Sequence, residues 1–173
     1  MVGKEEAMID FTIKGLDETL KNLEGLKDRV ETASTEFLTA VVQHVTERAI
    51  QNAPIKTGAL RNNLLGYVED TLVFSESSGK VKAPKVNSNI IKGQVIDLME
   101  YAVKMHEGLY GLGPISRVQG SAPEGAGVQQ PVGRKYISRV VDFHLNSYIN
   151  GFKSAMLSAI QNKGLIDVSF NKT

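Results

Sequence analysis

The side chains that most often carry acid–base or metal chemistry are few in this chain. It has 3 His and no Cys among its 173 residues, which rules out thiolate chemistry and disulfide bonds. His44, His106 and His144 lie too far apart in the sequence to form the i, i+4 pair of a zinc-binding helix. We therefore expect no metal site and no cofactor.

One adjacent pair, His106 and Glu107, has the residue types of a general acid and base. On a strand the two side chains would point to opposite faces, which disfavours their acting together. The glycine-rich stretches 111–113 and 125–127 lack the strand, helix and Lys of a phosphate-binding loop. The sequence also has no Gly-x-Ser-x-Gly nucleophile elbow. We expect no enzymatic activity, with a hydrolase built around His106 and Glu107 as an alternative.

A basic cluster, Arg134, Lys135 and Arg139, begins the last predicted helix, and Arg117 precedes it in the chain. Positive charge at a helix N-terminus opposes the helix dipole. The cluster is therefore either a solvated face or a contact for DNA or an acidic neighbour. The net charge of +1 argues against a dedicated nucleic-acid-binding protein. A DNA-binding module that uses residues 134–139 stays an alternative.

Two long helices are predicted from apolar residues recurring every three or four positions. The first covers residues 18–52, with a break or bend near Gly25 and the Thr/Ser run 32–35. Its apolar stripe is Leu20, Leu23, Leu26 or the stem of Lys27, Val30, Ala33, Phe37, Val41, Val45 and Ala49. The second covers residues 134–162 and is followed by a stop at Gly164. Its stripe is Ile137, Val140, Val141, Leu145, Tyr148, Phe152, Ala155, Met156 and Ala159.

Short segments with alternating apolar residues predict three or four antiparallel strands. The candidate segments from which that number is drawn are a strand over 9–13, a hairpin turning at Glu69–Asp70, an edge strand over 81–86, a strand over 90–98 with a bulge at Gly93, and a final strand or tail over 165–173. Residues 109–133 contain six Gly and three Pro, which predicts a long loop without helix or long strand.

The fold class is therefore α+β. We expect two long helices packed on a small antiparallel sheet, with the long Gly/Pro-rich loop before the second helix. The length and composition suit a single domain over 1–173, with a flexible terminus over 1–7. Residues 1–50 carry a net charge of −4 and residues 51–173 a net charge of +5. An acidic edge of one subunit meeting a basic edge of another is one explanation.

The change from helical to strand pattern occurs at residues 53–60. Pro54 lacks an N–H and clashes with the preceding turn, so the first helix should end near Asn52 or Ala53. Gly58 tolerates a positive φ and allows a sharp turn. The Thr57 hydroxyl can bond nearby backbone and hold that turn.

The segment Ala53-Pro54-Ile55-Lys56-Thr57-Gly58-Ala59-Leu60 resembles the signature of the HK97 gp10-like family of bacteriophage tail completion or neck proteins. Tyr101, Ala102, Glu107 and Gly108 resemble the second conserved block of that family. The chain departs from the family pattern at Gly108-Leu109 and in the long loop that follows. The order helix, signature, strands, second block and helix covers most of the chain.

This resemblance implies a structural virion protein at the head–tail junction, assembled in the host cytoplasm. It implies a homo-oligomeric ring, expected to be hexameric, with DNA passing through the lumen and making transient, non-specific contacts. The implied partners are head-completion or connector proteins on one side and tail terminator or tail tube proteins on the other. A tail terminator ring is an alternative. No run of about 18 apolar residues occurs, so we expect no membrane span.

Overall fold

The structure is a computed structural model that describes residues 16–55, 58–86, 88, 90–119, 121–124 and 128–162. Several sequence predictions lie outside the described residues and stay predictions. They are the flexible terminus over 1–7, the strand over 9–13, the role of Thr57, the helix stop at Gly164 and the strand or tail over 165–173.

The described residues form five helices and six strands. The helices are α1 (Leu16–Asn52), α2 (Ala59–Asn62), α3 (Ala102–Glu107), α4 (Pro114–Gln119) and α5 (Ser138–Ile160). The strands are β1 (Leu64–Val68), β2 (Thr71–Ser75), β3 (Gly79–Lys80), β4 (Gly93–Asp97), β5 (Ser121–Glu124) and β6 (Val128–Pro131). The α+β class is confirmed, with the long helix α1 packed on a four-stranded antiparallel sheet. In the described part of the chain, no helix is both long and apolar enough to cross a bilayer.

Helix α1 ends at Asn52, as Pro54 predicts, and runs without interruption from Leu16, so no break occurs at Gly25 or at 32–35. The weak helix formers at 32–35 are accommodated because Ala33 and Thr35 are buried against the rest of the fold. Thr35 donates a hydrogen bond from its hydroxyl to the carbonyl of Glu31 at 2.9 Å, so it need not compete with the helix for backbone groups. Tertiary packing outweighs local propensity here.

The sheet has strand order β3-β2-β1-β4, and all its pairs are antiparallel. The predicted hairpin is confirmed, with its turn at Glu69–Asp70. The edge strand predicted over 81–86 is wrong, because none of these residues is in a strand. Gly79 and Lys80 pair with β2, and one further hydrogen bond runs from the N–H of Val81 to the carbonyl of Val73 at 2.9 Å. From α1, the side-chain amide of Gln43 donates to the carbonyls of Val73 at 3.1 Å and Val81 at 2.6 Å. A side chain therefore occupies acceptors beside the end of this short edge.

The bulge predicted at Gly93 is also wrong. Gly93 pairs regularly with Val68, and the register shift lies between Gly66 and Tyr67 in β1. Residue 93 has to be glycine for a packing reason, because a Cβ there would lie 2.7 Å from Cγ2 of Val42 on α1. The strand therefore approaches the helix more closely than a larger residue would allow.

The two long helices and the sheet form three layers with α1 in the middle. One side of α1 packs through Val42 against Val68 and Val73 of the sheet. The other side packs through Phe37 and Val45 against α5, at a cluster that includes Val140, Tyr148 and Ala155. The second long helix therefore lies mainly on α1, and α1 separates it from most of the sheet.

Helix α5 begins at Ser138, four residues later than predicted. Gly133 and Lys135 have φ values of 145° and 55°, which a right-handed helix cannot include. Arg134 and Lys135 therefore lie in a turn before the helix. The predicted stripe is partly wrong: Val141, Leu145 and Phe152 are exposed, whereas His144 and Ser158 are buried.

The segment 109–133 is more structured than predicted. It contains α4 and an antiparallel pair in which β5 faces β6 from Ser121 opposite Pro131 to Glu124 opposite Val128. Pro114 is the first residue of α4, where a missing N–H costs no helical hydrogen bond. Proline is tolerated in a two-stranded pair because each strand has an unpaired edge. The prediction of a segment without any helix is therefore wrong.

Candidate functional site

The structure brings the two predicted motifs together. Ala53 and Leu60 of the first motif pack in one buried cluster with Ala102 of the second. Tyr136, a fully buried residue just before α5, belongs to the same cluster. Segments about forty residues apart in the sequence therefore form one unit, which we call the motif cluster.

The first motif closes the end of α1. The last carbonyls of a helix have no partner within the helix, and here Arg61 supplies the donors. Its Nε and Nη2 atoms donate to the carbonyl of Ala53 at 2.9 and 2.8 Å, and Nη2 also donates to the carbonyl of Gln51 at 2.9 Å. Burial lowers the pKa of Arg61, and the charge of Glu76 acts in the opposite direction.

Gly58 makes this closure feasible. Its φ of 84° is left-handed, which confirms the prediction of a positive φ. The chain reverses there, and α2 begins at the next residue. Helix α2 then places Arg61 over the end of α1. Pro54 itself is buried in the turn. Within the described residues, the first motif therefore acts as the C-terminal cap of the long helix.

The second motif forms α3. Tyr101 is exposed just before it, and Gly108 ends it by donating from its N–H to the carbonyl of Lys104 at 2.8 Å. A Cβ at 108 would collide with that same carbonyl oxygen. Glycine is therefore needed at 108 because the chain leaves the helix in close contact with its last turn.

The treatment of His106 and Glu107 as strand residues was wrong, because both lie on α3. Their side chains meet, with Nδ1 of His106 2.6 Å from Oε1 of Glu107. A cavity of about 510 Å³ lies beside this pair. The neighbouring Tyr136 hydroxyl donates to Asp97 at 2.8 Å. Burial raises the pKa of Tyr136, and the Asp97 contact adds to the shift, so this hydroxyl is a structural donor.

An apolar groove of about 830 Å³ opens beside the motif cluster. Residues 54–55 and 58–60 form one wall, and residues between 99 and 105 form the second. The third wall comes from residues 110–116, which belong to the predicted loop. The apolar side chains that line the groove include Ile55, Met99, Met105, Leu112 and Ile115. A groove of this kind suits apolar side chains of a partner or ligand.

Ser116 attaches the third wall to the first motif. Its buried hydroxyl accepts a hydrogen bond from the N–H of Ile55 at 2.8 Å and donates to the carbonyl of the same residue at 3.0 Å. On the facing side, the Tyr110 hydroxyl donates to the carbonyl of Met105 at 2.8 Å. These bonds connect the third wall to both motifs.

Sequence reasoning missed Arg61, Ser116 and Tyr136. Arg61 carried a usable signal, because a basic residue shortly after a helix end can bond the last carbonyls. Tyr136 lay between basic residues of a predicted helix and off its apolar stripe. Ser116 lies in a segment predicted to be a loop, and a single serine in a loop does not indicate which backbone groups it will bond.

The four basic residues predicted to contact partners differ in exposure. Arg117, Arg134 and Lys135 are exposed, whereas Arg139 is half-buried. Burial lowers the pKa of Arg139, Tyr110 opposes that shift, and the charge of Arg134 adds to it. Three of the four are therefore accessible to a partner.

Comparison with known proteins identifies no relative: no family model, no curated protein and no solved structure matches this chain. Among the residues that the structure describes, no group of three or more His, Asp and Glu side chains is arranged to hold a metal ion.

Proposed function

We propose that this protein is a structural virion protein of a tailed bacteriophage. It forms a ring at the head–tail junction that completes the tail or neck and joins it to the head. The proposal starts from the resemblance at residues 53–60 and 101–108. The observation that best supports it is a row of exposed apolar residues on α5.

That row, which we call the outer stripe, consists of Val141, Leu145, Ile149, Phe152 and Ile160. They are 37, 49, 44, 44 and 54% exposed. With about 100° of rotation per residue they lie within an arc of roughly 100°, and they extend over about 28 Å of helix. A stripe of this length on a helix normally faces a partner.

The outer stripe lies next to the buried face of α5, so the helix is apolar on two adjoining faces. Helix α1 covers one of them through Val140, Tyr148 and Ala155. Contiguous exposed apolar patches of several hundred Å² on a monomer mark interaction sites. In a subunit that packs against copies of itself, α1 would cover one face and a neighbouring copy would cover the other.

The groove and the basic residues take further roles in this proposal. The groove beside the motif cluster would receive apolar side chains from an adjoining head-completion, connector, tail terminator or tail tube protein. Arg117, Arg134, Lys135 and Arg139 would make transient contacts with DNA phosphates in the lumen. Catalysis has no part in this function.

Mass measurement tests the proposal. Virions of the phage that encodes this chain should contain it in the copy number of one ring. A nonsense mutation in its gene should give separate heads and tails. Absence of the protein from purified virions would overturn the proposal. If it remains on isolated tails of a head-deficient mutant, the tail terminator alternative is favoured over a neck ring.

A DNA-binding module is the alternative that the exposed Arg117, Arg134 and Lys135 favour. Affinity for duplex DNA would then fall steeply with salt, with one released counterion for roughly each phosphate contacted. The isolated protein should show this in an anisotropy titration between 50 and 200 mM salt. Absence of binding at the lowest salt would exclude the alternative.

A further inference from the structure

We propose that the ring contact is head-to-tail: the N-terminal part of α1 in one copy docks on the outer stripe of α5 in the next copy. This inference depends on the proposed function, because it specifies how the proposed ring is built. It follows from three observations: the reach of α1 beyond α5, the outer stripe, and the opposite charges of the two surfaces.

Helix α1 is much longer than the helix that covers it. Near the C-terminus of α5, Nε of Arg29 donates to the carbonyl of Ala159 at 3.1 Å. Since α5 ends at Ile160 and runs antiparallel to α1, the α1 residues before Arg29 extend beyond it. Thirteen residues, 16–28, correspond to about 20 Å of helix. We call these residues the α1 arm.

The α1 arm has its own apolar side. Leu23 is 55% exposed, and the leucine spacing of three and four extends in the sequence to Leu16 and Leu20. Such spacing places leucines on one face of a helix. A projecting helix that exposes Leu23 can pack on an apolar groove or stripe of another helix.

The two surfaces carry opposite charge. The α1 arm contains Asp17, Glu18, Glu24 and Asp28 against Lys21 and Lys27, a net charge of −2. Along the outer stripe, residues 141–160, Lys153 balances Asp142, and Arg134, Lys135 and Arg139 add a charge of +3 beside its N-terminal end. Opposite charges around an apolar strip favour this pairing over contact between two copies of the same surface.

The size of the stripe suits one contact of a multi-contact ring. The five stripe residues are only 37–54% exposed, so their side chains supply part of an interface and not all of it. A stable interface buries about 800 Å² per partner, so the polar flanks of the arm would supply the remainder. A head-to-tail contact uses two different surfaces and can close into a ring, whereas a contact between two α5 helices stops at a dimer.

Engineered cysteines test this arrangement directly, because the natural chain contains none. Leu23→Cys and Ile149→Cys are made as separate full-length proteins and treated with a short bismaleimide crosslinker, alone and mixed. The head-to-tail contact predicts dimers only in the mixture. A chain carrying both substitutions should give a ladder that ends at the number of subunits in the ring. Glu76→Cys, in an exposed turn, mixed with Ile149→Cys should give no product.

A second measurement separates the stripe from general exposure of α5. Ile149→Lys places a charge in the stripe, and Leu157→Lys places the same charge at a residue that is 57% exposed but lies outside it. We expect Ile149→Lys to raise the dissociation constant of the ring at least tenfold, with unchanged circular dichroism. Leu157→Lys should change it less than twofold.

Several results would overturn the inference. They are a dimer of Ile149→Cys with itself, equal effects of the two lysine substitutions, and absence of the 23–149 product both in solution and in virions assembled with the variants. If a ring is still found in virions in any of these cases, the proposed function stands and only the contact is wrong. If the protein is missing from virions, the proposed function fails.

Discussion

Replacement of Arg61 by Met tests whether the first motif acts as the cap of α1. The guanidinium donates three hydrogen bonds to the carbonyls of Gln51 and Ala53, at 2.8–2.9 Å. Methionine keeps an apolar stem of similar length but has no donor. Ala53 is fully buried, so water cannot readily replace the lost donors at its carbonyl.

The expected loss follows from these contacts. A hydrogen bond from a charged group contributes about 1.5–3 kcal/mol, and a buried carbonyl left without a donor costs about 1–3 kcal/mol. The three bonds share one donor group and two acceptors, so they do not add. We expect Arg61→Met to lower the free energy of unfolding by about 2–3 kcal/mol. With a urea m-value of about 2 kcal/mol/M, the midpoint should fall by about 1–1.5 M.

The assay is urea unfolding followed by far-UV circular dichroism at one protomer concentration, because association also contributes to stability. Arg117→Met is the matched control: Arg117 is exposed, and its loss should change stability by less than about 0.5 kcal/mol. Arg61→Lys should be intermediate, since one ammonium cannot reproduce the planar fork. Equal midpoints for Arg61→Met and Arg117→Met would refute the cap.

Three further predictions concern stability. Gly66→Ala should lower the free energy of unfolding by about 1–3 kcal/mol in urea, because its Cβ would lie 2.5 Å from Oγ1 of Thr46. Gly113→Ala is the control, because the space around Gly113 is open and the substitution should be neutral. Equal free energies of unfolding for the two variants would contradict the close approach of β1 to α1. Gly58→Ala should cost about 1–2 kcal/mol because of its φ of 84°; an unchanged midpoint would show that the corner tolerates a Cβ. Burial, aided by nearby positive charges, lowers the pKa of His44 to about 3. Below about pH 6.5, His44 is therefore protonated in the unfolded chain but stays neutral in the folded protein. Because the unfolded state binds the extra proton, the free energy of unfolding should fall as pH decreases from about 6.5 towards 3. The fall between pH 7 and 5 should be smaller in His44→Gln, and identical pH profiles would exclude this linkage.

Much of the local structure could be predicted from individual residues. Pro54 predicts where α1 ends, and Gly58 predicts the left-handed corner that follows. Glu69–Asp70 between two alternating segments predicts the hairpin. In each case the signal comes from a residue whose allowed φ, or missing donor, restricts its own backbone and its immediate neighbours.

The faces of α5 show where such reasoning fails. Between 137 and 160 the apolar residues cover two adjoining faces, and the sequence cannot tell which face packs on α1. Val140 and Tyr148 are buried, whereas Val141 and Leu145 are exposed. The choice depends on where α1 lies, and α1 is distant in the sequence.

By itself, then, the sequence determined the α+β class, the end of α1, the corner at Gly58 and the antiparallel hairpin, because these depend on periodicity and on conformational limits that act over a few residues. Only the tertiary structure decided that Arg61 caps α1, that the two motifs share a groove held by Ser116, and that α1 reaches beyond α5. These features depend on contacts between distant segments, and such contacts are settled by the packing of the whole chain rather than by any local preference.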